Sequence, residues 1–477
     1  MIKKIGLFIF RRDCRLNDNH ALNELATQVD EIIPIFILDP NQIKKTEKNK
    51  HYFSNNAVQF ICETLVDLNN QLIVYNSHLY LFMGEPDKII HKIIKTYDIS
   101  YIGFNLDFSP YAIERDSNIL KLCEKEHILC ITNDWDLNLL PTNNMLNKDK
   151  PFKIFSAFYK HAIQFDIDKP KNLPKINFIN NLNISGLYAV KDLEKLYNQN
   201  NMIDMKGGFE ECKIRINKIK FQKNYNIMRD RLDYETTHLS AYLNMGIISI
   251  RQTYYMFIDK LGKNTQLLKQ LYWRDFYNCA IRFIDNASSY TNYIDSRFDN
   301  IKWKNSIEFK PEFDIFWNSK TGFLLIDAGM RQLQITGFLH NRCRMQLVIF
   351  ANKYLKINML DPKYGSQVWF SRLLIDAIGI AQNKMNNNWS LDFDLSGRRF
   401  GIGISGRGMD ISNNVIKKFD PDCNYIKKWL PHLKNIPNND LYKWNDVIAT
   451  KYNYIHPAPI FDSKQRYQEW IDLTKKL

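Results

Sequence analysis

No run in the 477 residues approaches the ~18 consecutive apolar residues that a membrane-spanning helix needs. The apolar stretch at residues 5–10 is broken at once by Arg11, Arg12 and Asp13, too short and wrongly flanked for a signal peptide. There is no C-x-x-C pair and no Cys/His cluster at zinc spacing. The eight cysteines, Cys14, Cys62, Cys123, Cys130, Cys212, Cys279, Cys343 and Cys423, are scattered along the chain. A disulfide framework and a structural metal centre are therefore excluded, and the expected setting is reducing and intracellular, nucleus or cytoplasm, not secreted. Internal repeats and low-complexity tails are absent too. With 45% hydrophobic and 24% charged residues, neither a fibrous repeat nor a disordered chain fits.

What is present is length and positive charge. A chain of 477 residues exceeds one ordinary core, and roughly 100–200 residues per domain argues for two or three. Lys+Arg 65 against Asp+Glu 51 leaves +14, enough to raise a polyanionic partner. Lys, Asn and Ile are also the residues that AT-rich codons supply, so the total does not choose between a nucleic acid and codon bias.

Short apolar runs at 5–10, 32–38, 79–82, 101–104 and 128–132 alternate with helical patterns such as 55–72, where Val58, Ile61, Leu65 and Leu68 recur at three- and four-residue spacing. That alternation predicts a Rossmann-like, doubly wound parallel sheet over 1–135. A polar connector follows over 136–205, and 206–477 reads as an all-α domain. The basic stretch 213–223 reads as a solvated helix face. GIGISG at 401–406 has the form G-x-G-x-x-G, but no strand signal precedes it and Arg398, Arg399 and Arg407 surround it, so it is no dinucleotide fingerprint.

Three clusters carry chemistry. Thr236, Thr237 and Ser240 are hydroxyls just ahead of an apolar helical run, suited either to capping the helix or to presenting hydroxyl and N–H groups to an anion. Gln270, Trp273 and Arg274 lie at i, i+3 and i+4, hence on one helix face, and Asn341, Arg344 and Met345 repeat that spacing.

The motif FRRDCRLNDNHAL (10–22), followed by IIPIFILDP (32–40), resembles the opening of the photolyase/cryptochrome flavoproteins. NLDFSPYAIERD (105–116), TTHLSAYLNMGIIS (236–249), LYWRDFY (271–277), TGFLLIDAGMRQLQITGFLHNRCRM (321–345), FDPDCNYIKKWLP (419–431) and HPAPIFD (456–462) agree with the family in order and spacing. Nearly the whole chain is covered, and residues 378–409 depart from the pattern.

The resemblance implies a helical FAD-binding domain at 206–477. It assigns Thr236, Thr237, His238, Leu239 and Ser240 to the flavin diphosphate, with Tyr225, Arg274, Arg344 and Asp376 as further cofactor contacts. Where the family carries a second acid after that aspartate this chain has Ile378. The position facing flavin N5 falls on Gln382 by direct counting, or on Asn383 after a one-residue slip. Trp273 is implied to stack on a flipped pyrimidine dimer, with Gln270 in place of the usual glutamate, Asn341 near lesion and flavin, and Met345 against the lesion base. Arg229 and Arg342, with Trp273 and Asn341, are implied DNA contacts. The family's electron-transfer tryptophans correspond to Trp303, to Met359 in the middle position, and to Trp389 or, without a gap, Asn386.

The implied activity is light-driven repair of cyclobutane pyrimidine dimers in UV-damaged DNA by a monomeric flavoenzyme. Photolyases specific for the (6-4) photoproduct carry histidines at the Asn341 and Met345 positions, which favours the cyclobutane branch. A (6-4) photolyase remains an alternative, as do a cryptochrome-like photoreceptor and a flavin-free DNA-binding relic. Against the photoreceptor, Leu477 follows the closing motif too soon for a signalling extension. The second, antenna chromophore stays open between 8-hydroxydeazaflavin, another flavin and none.

Overall fold

The computed structural model describes residues 3–43, 53–289, 291–377, 391, 394–396, 411, 413–444, 451–452, 455–475 and 477. Five strands, β1 (Ile5–Phe10), β2 (Glu31–Leu38), β3 (Tyr80–Met83), β4 (Ile99–Asn105) and β5 (Leu129–Asn133), pair in parallel in the order β5-β4-β1-β2-β3. β1 is buried from Gly6 through Phe10 because helices cover both faces, which is why it reads as an unbroken apolar run. Its side chains divide by parity. Leu7 and Ile9 join a core with Ile33, Ile35 and Ile102, whereas Phe8 and Phe10 join one that runs on into Tyr242, Tyr272 and Phe276 of the helical domain.

Two dipeptides of the expected 136–205 connector extend this sheet. A two-residue hairpin strand pair, β6 (Leu146–Asn147) and β7 (Lys150–Pro151), stands apart from it. Farther on, β8 (Asn177–Phe178) pairs with β2, and β9 (Leu187–Tyr188) closes the edge antiparallel to β3. The periodicity of single residue pairs is too short to register as strand in a sequence.

Buried charge ties the two domains together. Arg251, fully buried, reaches Asp18 Oδ2 at 2.9 Å, and Arg15 reaches Asp136 Oδ2 at 2.7 Å. Burial alone would raise the Asp136 carboxyl, but Arg15, His20 and Arg251 hold it far below its ordinary range. The 10–22 motif thus leaves β1 and clasps the helical domain: Cys14 N–H donates to the Met245 carbonyl at 3.0 Å, and Arg15 Nη1 to the Gly246 carbonyl at 3.1 Å.

Within the helical domain, helix Leu324–Thr336 stops at Gly337, whose φ of +70° supplies the left-handed cap. The chain then turns through Phe338, Leu339 and His340 into helix Asn341–Ile349, where the His340 ring accepts from the Arg342 backbone N–H. This turn, helix Gln266–Phe283 and the loop before helix Ser240–Asn244 converge on one cavity.

Candidate functional site

The cavity holds about 390 Å³, within the ~300–1,000 Å³ usual for ligand sites. One wall is the turn Thr236, Thr237, His238, Leu239 and Ser240. Leu239 precedes helix Ser240–Asn244 and no side chain caps it, so capping does not explain the Thr236 and Thr237 hydroxyls. Ser240 Oγ donates to Asp376 Oδ2 at 2.6 Å, and Arg344 Nη2 donates to the same oxygen at 2.7 Å. Asp376 Oδ1 is buried without a hydrogen-bond partner, as is Asn244 Nδ2, and both residues line the cavity. A buried acceptor and a buried donor left unmatched mark a site shaped for a polar ligand.

The opposite wall is helix Gln266–Phe283. Gln270, Trp273, Arg274 and Tyr277 line the cavity from it, as the i, i+3, i+4 spacing predicts. Trp273 is stacked on Phe155 with ring centroids 3.5 Å apart and planes 7° apart, so a residue of the connector backs it. Arg274 is held in place by the carbonyls of Leu137 at 2.7 Å and Leu243 at 3.1 Å. Burial, with Arg12 nearby, brings its guanidinium down to about 10.

Tyr225, Arg229, Asn341 and Arg342 complete the rim. Burial pushes the Tyr225 phenol up. Arg342 Nε lies 2.9 Å from Asp230 Oδ1. Burial works to raise that carboxyl, but Arg342 and Arg229 hold it below its ordinary range.

One expected residue lies off the cavity lining. Met345 does not line the cavity; its sulfur accepts from Arg342 Nη1 at 3.6 Å. From helix Asn341–Ile349, Asn341, Arg342 and Arg344 line the cavity and Met345 does not. Trp303 and Met359 share an apolar cluster with Trp470, whose ring is 6.0 Å from Trp303 at 38°. Ile378, Gln382, Asn383, Asn386 and Trp389 lie outside the described residues, as does 401–406.

Several neighbours of the site carried no sequence signal. Phe155 and Asp204 come from the connector, and Asp230, Phe338 and His340 act through contacts with residues distant in the chain. Trp470 sits in an ordinary amphipathic helix, Ser463–Thr474, and only its indole could have drawn notice.

A second cavity of about 350 Å³ opens at the carboxyl ends of β1, β2 and β4; the sheet order reverses between β1 and β4, the place where ligands of doubly wound domains bind. Phe10, Arg11, Phe36, Tyr111 and Arg115 line it, and one guanidinium nitrogen each of Arg11 and Arg115 is buried and unpartnered. Among the described residues no group of His, Cys, Asp and Glu is placed to hold a metal ion, and no helix is long and apolar enough to cross a membrane.

Residues 7–175 match the DNA photolyase family model, and residues 267–476 match the FAD binding domain of DNA photolyase. The chain belongs to the photolyase/cryptochrome family. It is 26% identical to a deoxyribodipyrimidine photo-lyase of Synechococcus sp., over 99% of this chain and 96% of that one. It is equally 26% identical to a cryptochrome DASH of Gloeobacter violaceus, over 92% and 87%. Its fold matches the crystal structure of an archaeal photolyase from Sulfolobus tokodaii with two FAD molecules, with a TM-score of 0.84 at 26% identity, covering 99% of this chain and 100% of that one. FAD is the cofactor of this photolyase/cryptochrome chain, and the unmatched Asp376 and Asn244 atoms fit such a ligand.

Proposed function

We propose that the chain is a light-driven cyclobutane pyrimidine dimer photolyase acting as a monomer on UV-damaged DNA. The supporting observation is the meeting of Gln270, Trp273 and Asn341 with Ser240, Arg344 and Asp376 around one cavity, so that a flipped base and the cofactor share a space. Bound and reduced, FAD would supply light-driven electron donation to the dimer, with Ser240, Arg344 and Asp376 placed to hold it. The chain's own residues do the rest. Trp273, braced by Phe155, offers a stacking face; Gln270 and Asn341 offer amides that both donate and accept; Arg229 and Arg342 make the rim cationic. Extruding the dimer costs a few kcal/mol, least where pairing is already weak. A (6-4) photolyase is disfavoured because Asn341 and Met345 stand where that chemistry needs histidine. The cavity at the sheet switch point is the place for a second chromophore.

A photoreceptor reading draws on Met359. A thioether is a poor relay for a hole between indoles, so light-driven reduction of the flavin should be slow here unless rerouted. Repair by flavin reduced in another way is unaffected.

The test is titration of the flavin-loaded protein with an oligonucleotide carrying one dimer and with its undamaged counterpart, at low and moderate salt. Affinity should fall steeply with salt as phosphate counterions are released. Trp273→Ala should weaken dimer binding by ~1–3 kcal/mol while leaving undamaged DNA unchanged. Salt-insensitive binding, or equal loss for both DNAs, would contradict the reading.

A further inference from the structure

The β6–β7 hairpin closes through a turn of two residues, Lys148 and Asp149, both left-handed at φ +48° and +65°. So tight a turn fixes the two short strands, and the lysines on them, relative to each other. Lys148, Lys150 and Lys153 are exposed, and no ion pair ties up any of the three among the described residues. Asp149 is the only acid between 146 and 154. With Phe152, Ile154 and Ser396, whose hydroxyl donates to Asp394, these lysines border a groove of about 420 Å³ that shares no residue with the two cavities described above.

The hairpin is rooted on the helix that presents Trp273. Just ahead of β6, Arg282 Nη1 donates to Thr142 Oγ1 at 2.8 Å and Cys279 Sγ to the Met145 carbonyl at 3.7 Å. Just after β7, Phe155 stacks on Trp273. Lys153 precedes Phe155 by two residues, so their Cα atoms lie at most about 7 Å apart. One strand of DNA carries a charge every ~3.4 Å of helix axis. A base stacked on Trp273 therefore brings the phosphates roughly two to four nucleotides away to Lys153, with Lys150 and Lys148 farther along. None of the groove's polar side chains is buried, so it offers a small anion no enclosed donor. A row of unpaired cations beside apolar side chains instead complements a nucleic-acid strand, phosphates and base faces together.

We propose that the hairpin and Lys153 form a second, outlying DNA contact, in which Lys148, Lys150 and Lys153 hold phosphates of the strand flanking the dimer. It stands apart from Arg229 and Arg342 at the cavity rim and positions the strand without reading its sequence. It rests on the repair reading for where the dimer lies, and not for the binding of DNA itself.

The experiment measures the affinity of the full-length, FAD-loaded protein, across a range of salt, for a long duplex carrying one dimer and for its undamaged counterpart. A four-nucleotide strand with one nucleotide on each side of its dimer serves as the probe without flanks. Combining Lys148→Gln, Lys150→Gln and Lys153→Gln should lower the slope of log affinity against log salt by about two to three for both duplexes, near 0.9 per phosphate contact. Affinity for the short strand should stay as in wild type. Combining Lys213→Gln, Lys218→Gln and Lys220→Gln removes the same charge elsewhere and should leave the slope unchanged. A slope unaltered by the hairpin variant, an equal fall in the charge-matched variant, or a loss of affinity for the short strand overturns the outlying contact. Wild-type protein that binds both duplexes alike, with the slope still falling in the hairpin variant, leaves the contact standing and overturns only the repair reading. Binding to none of the DNAs overturns both.

Discussion

His340 Nδ1 accepts the Arg342 backbone N–H at 3.1 Å, which commits Nε2 to donate to the Arg229 carbonyl at 3.0 Å. The ring has to be neutral to do both. Burial, with Arg342 and Arg344 nearby, brings it down to about 4. The unfolded chain therefore takes up this proton first. The stability it contributes is complete above pH ~6.5 and is lost as pH falls toward about 4, on the order of 2–3 kcal/mol. His340→Asn, which still caps the helix but does not titrate, should flatten that part of the pH–stability curve in chemical denaturation; an unchanged slope would contradict the assignment. At this scale the sequence was informative where function follows local spacing. Gln270, Trp273 and Arg274 face the cavity because a helix places i, i+3 and i+4 together. Met345 shares that periodicity but is not among the residues lining the cavity, because periodicity fixes a face of the helix and not what that face meets. Asp204 and Phe155 were illegible, since each acts through a partner far away in the chain.

Among elements, β1 and β2 announced themselves because cover on both faces leaves residues 6–10 and 32–38 without a polar side chain. The connector did not, because β8 and β9 are two residues each and owe their conformation to the sheet they join. The seam between domains depends on one turn. Gly246 has φ +62°, and a Cβ there would sit 2.2 Å from the Arg12 carbonyl oxygen, against backbone that cannot swing aside. Gly246→Ala should destabilise the protein by at least ~2 kcal/mol through left-handed strain and displacement of the 10–22 loop, measured by denaturant unfolding. A loss within ~0.5 kcal/mol would mean the two domains do not bear on each other there.

At the scale of the whole molecule, the surplus of +14 is a weak guide to a partner. Placement is a better one: Arg229 and Arg342 stand at the rim of the cavity that holds Trp273, while the lysines of 213–223 pair in part with Glu210 and Glu235. The two domains share a core through Phe8, Phe10, Tyr242 and Phe276, so the second cavity and the flavin cavity belong to one continuous body. Residues 378–409, where the sequence departs from the family pattern, carry Gln382 and Trp389, both outside the described residues. If Met359 stands in the middle of the electron relay, as the family resemblance implies, a light-driven assay on oxidised protein would confuse reduction with repair. The decisive measurement is illumination of chemically reduced, FAD-loaded protein with defined DNA carrying either a cyclobutane dimer or a (6-4) photoproduct, scoring intact pyrimidines. Light-dependent loss of the cyclobutane dimer alone is the predicted result; loss of neither lesion, or of the (6-4) photoproduct alone, would contradict it.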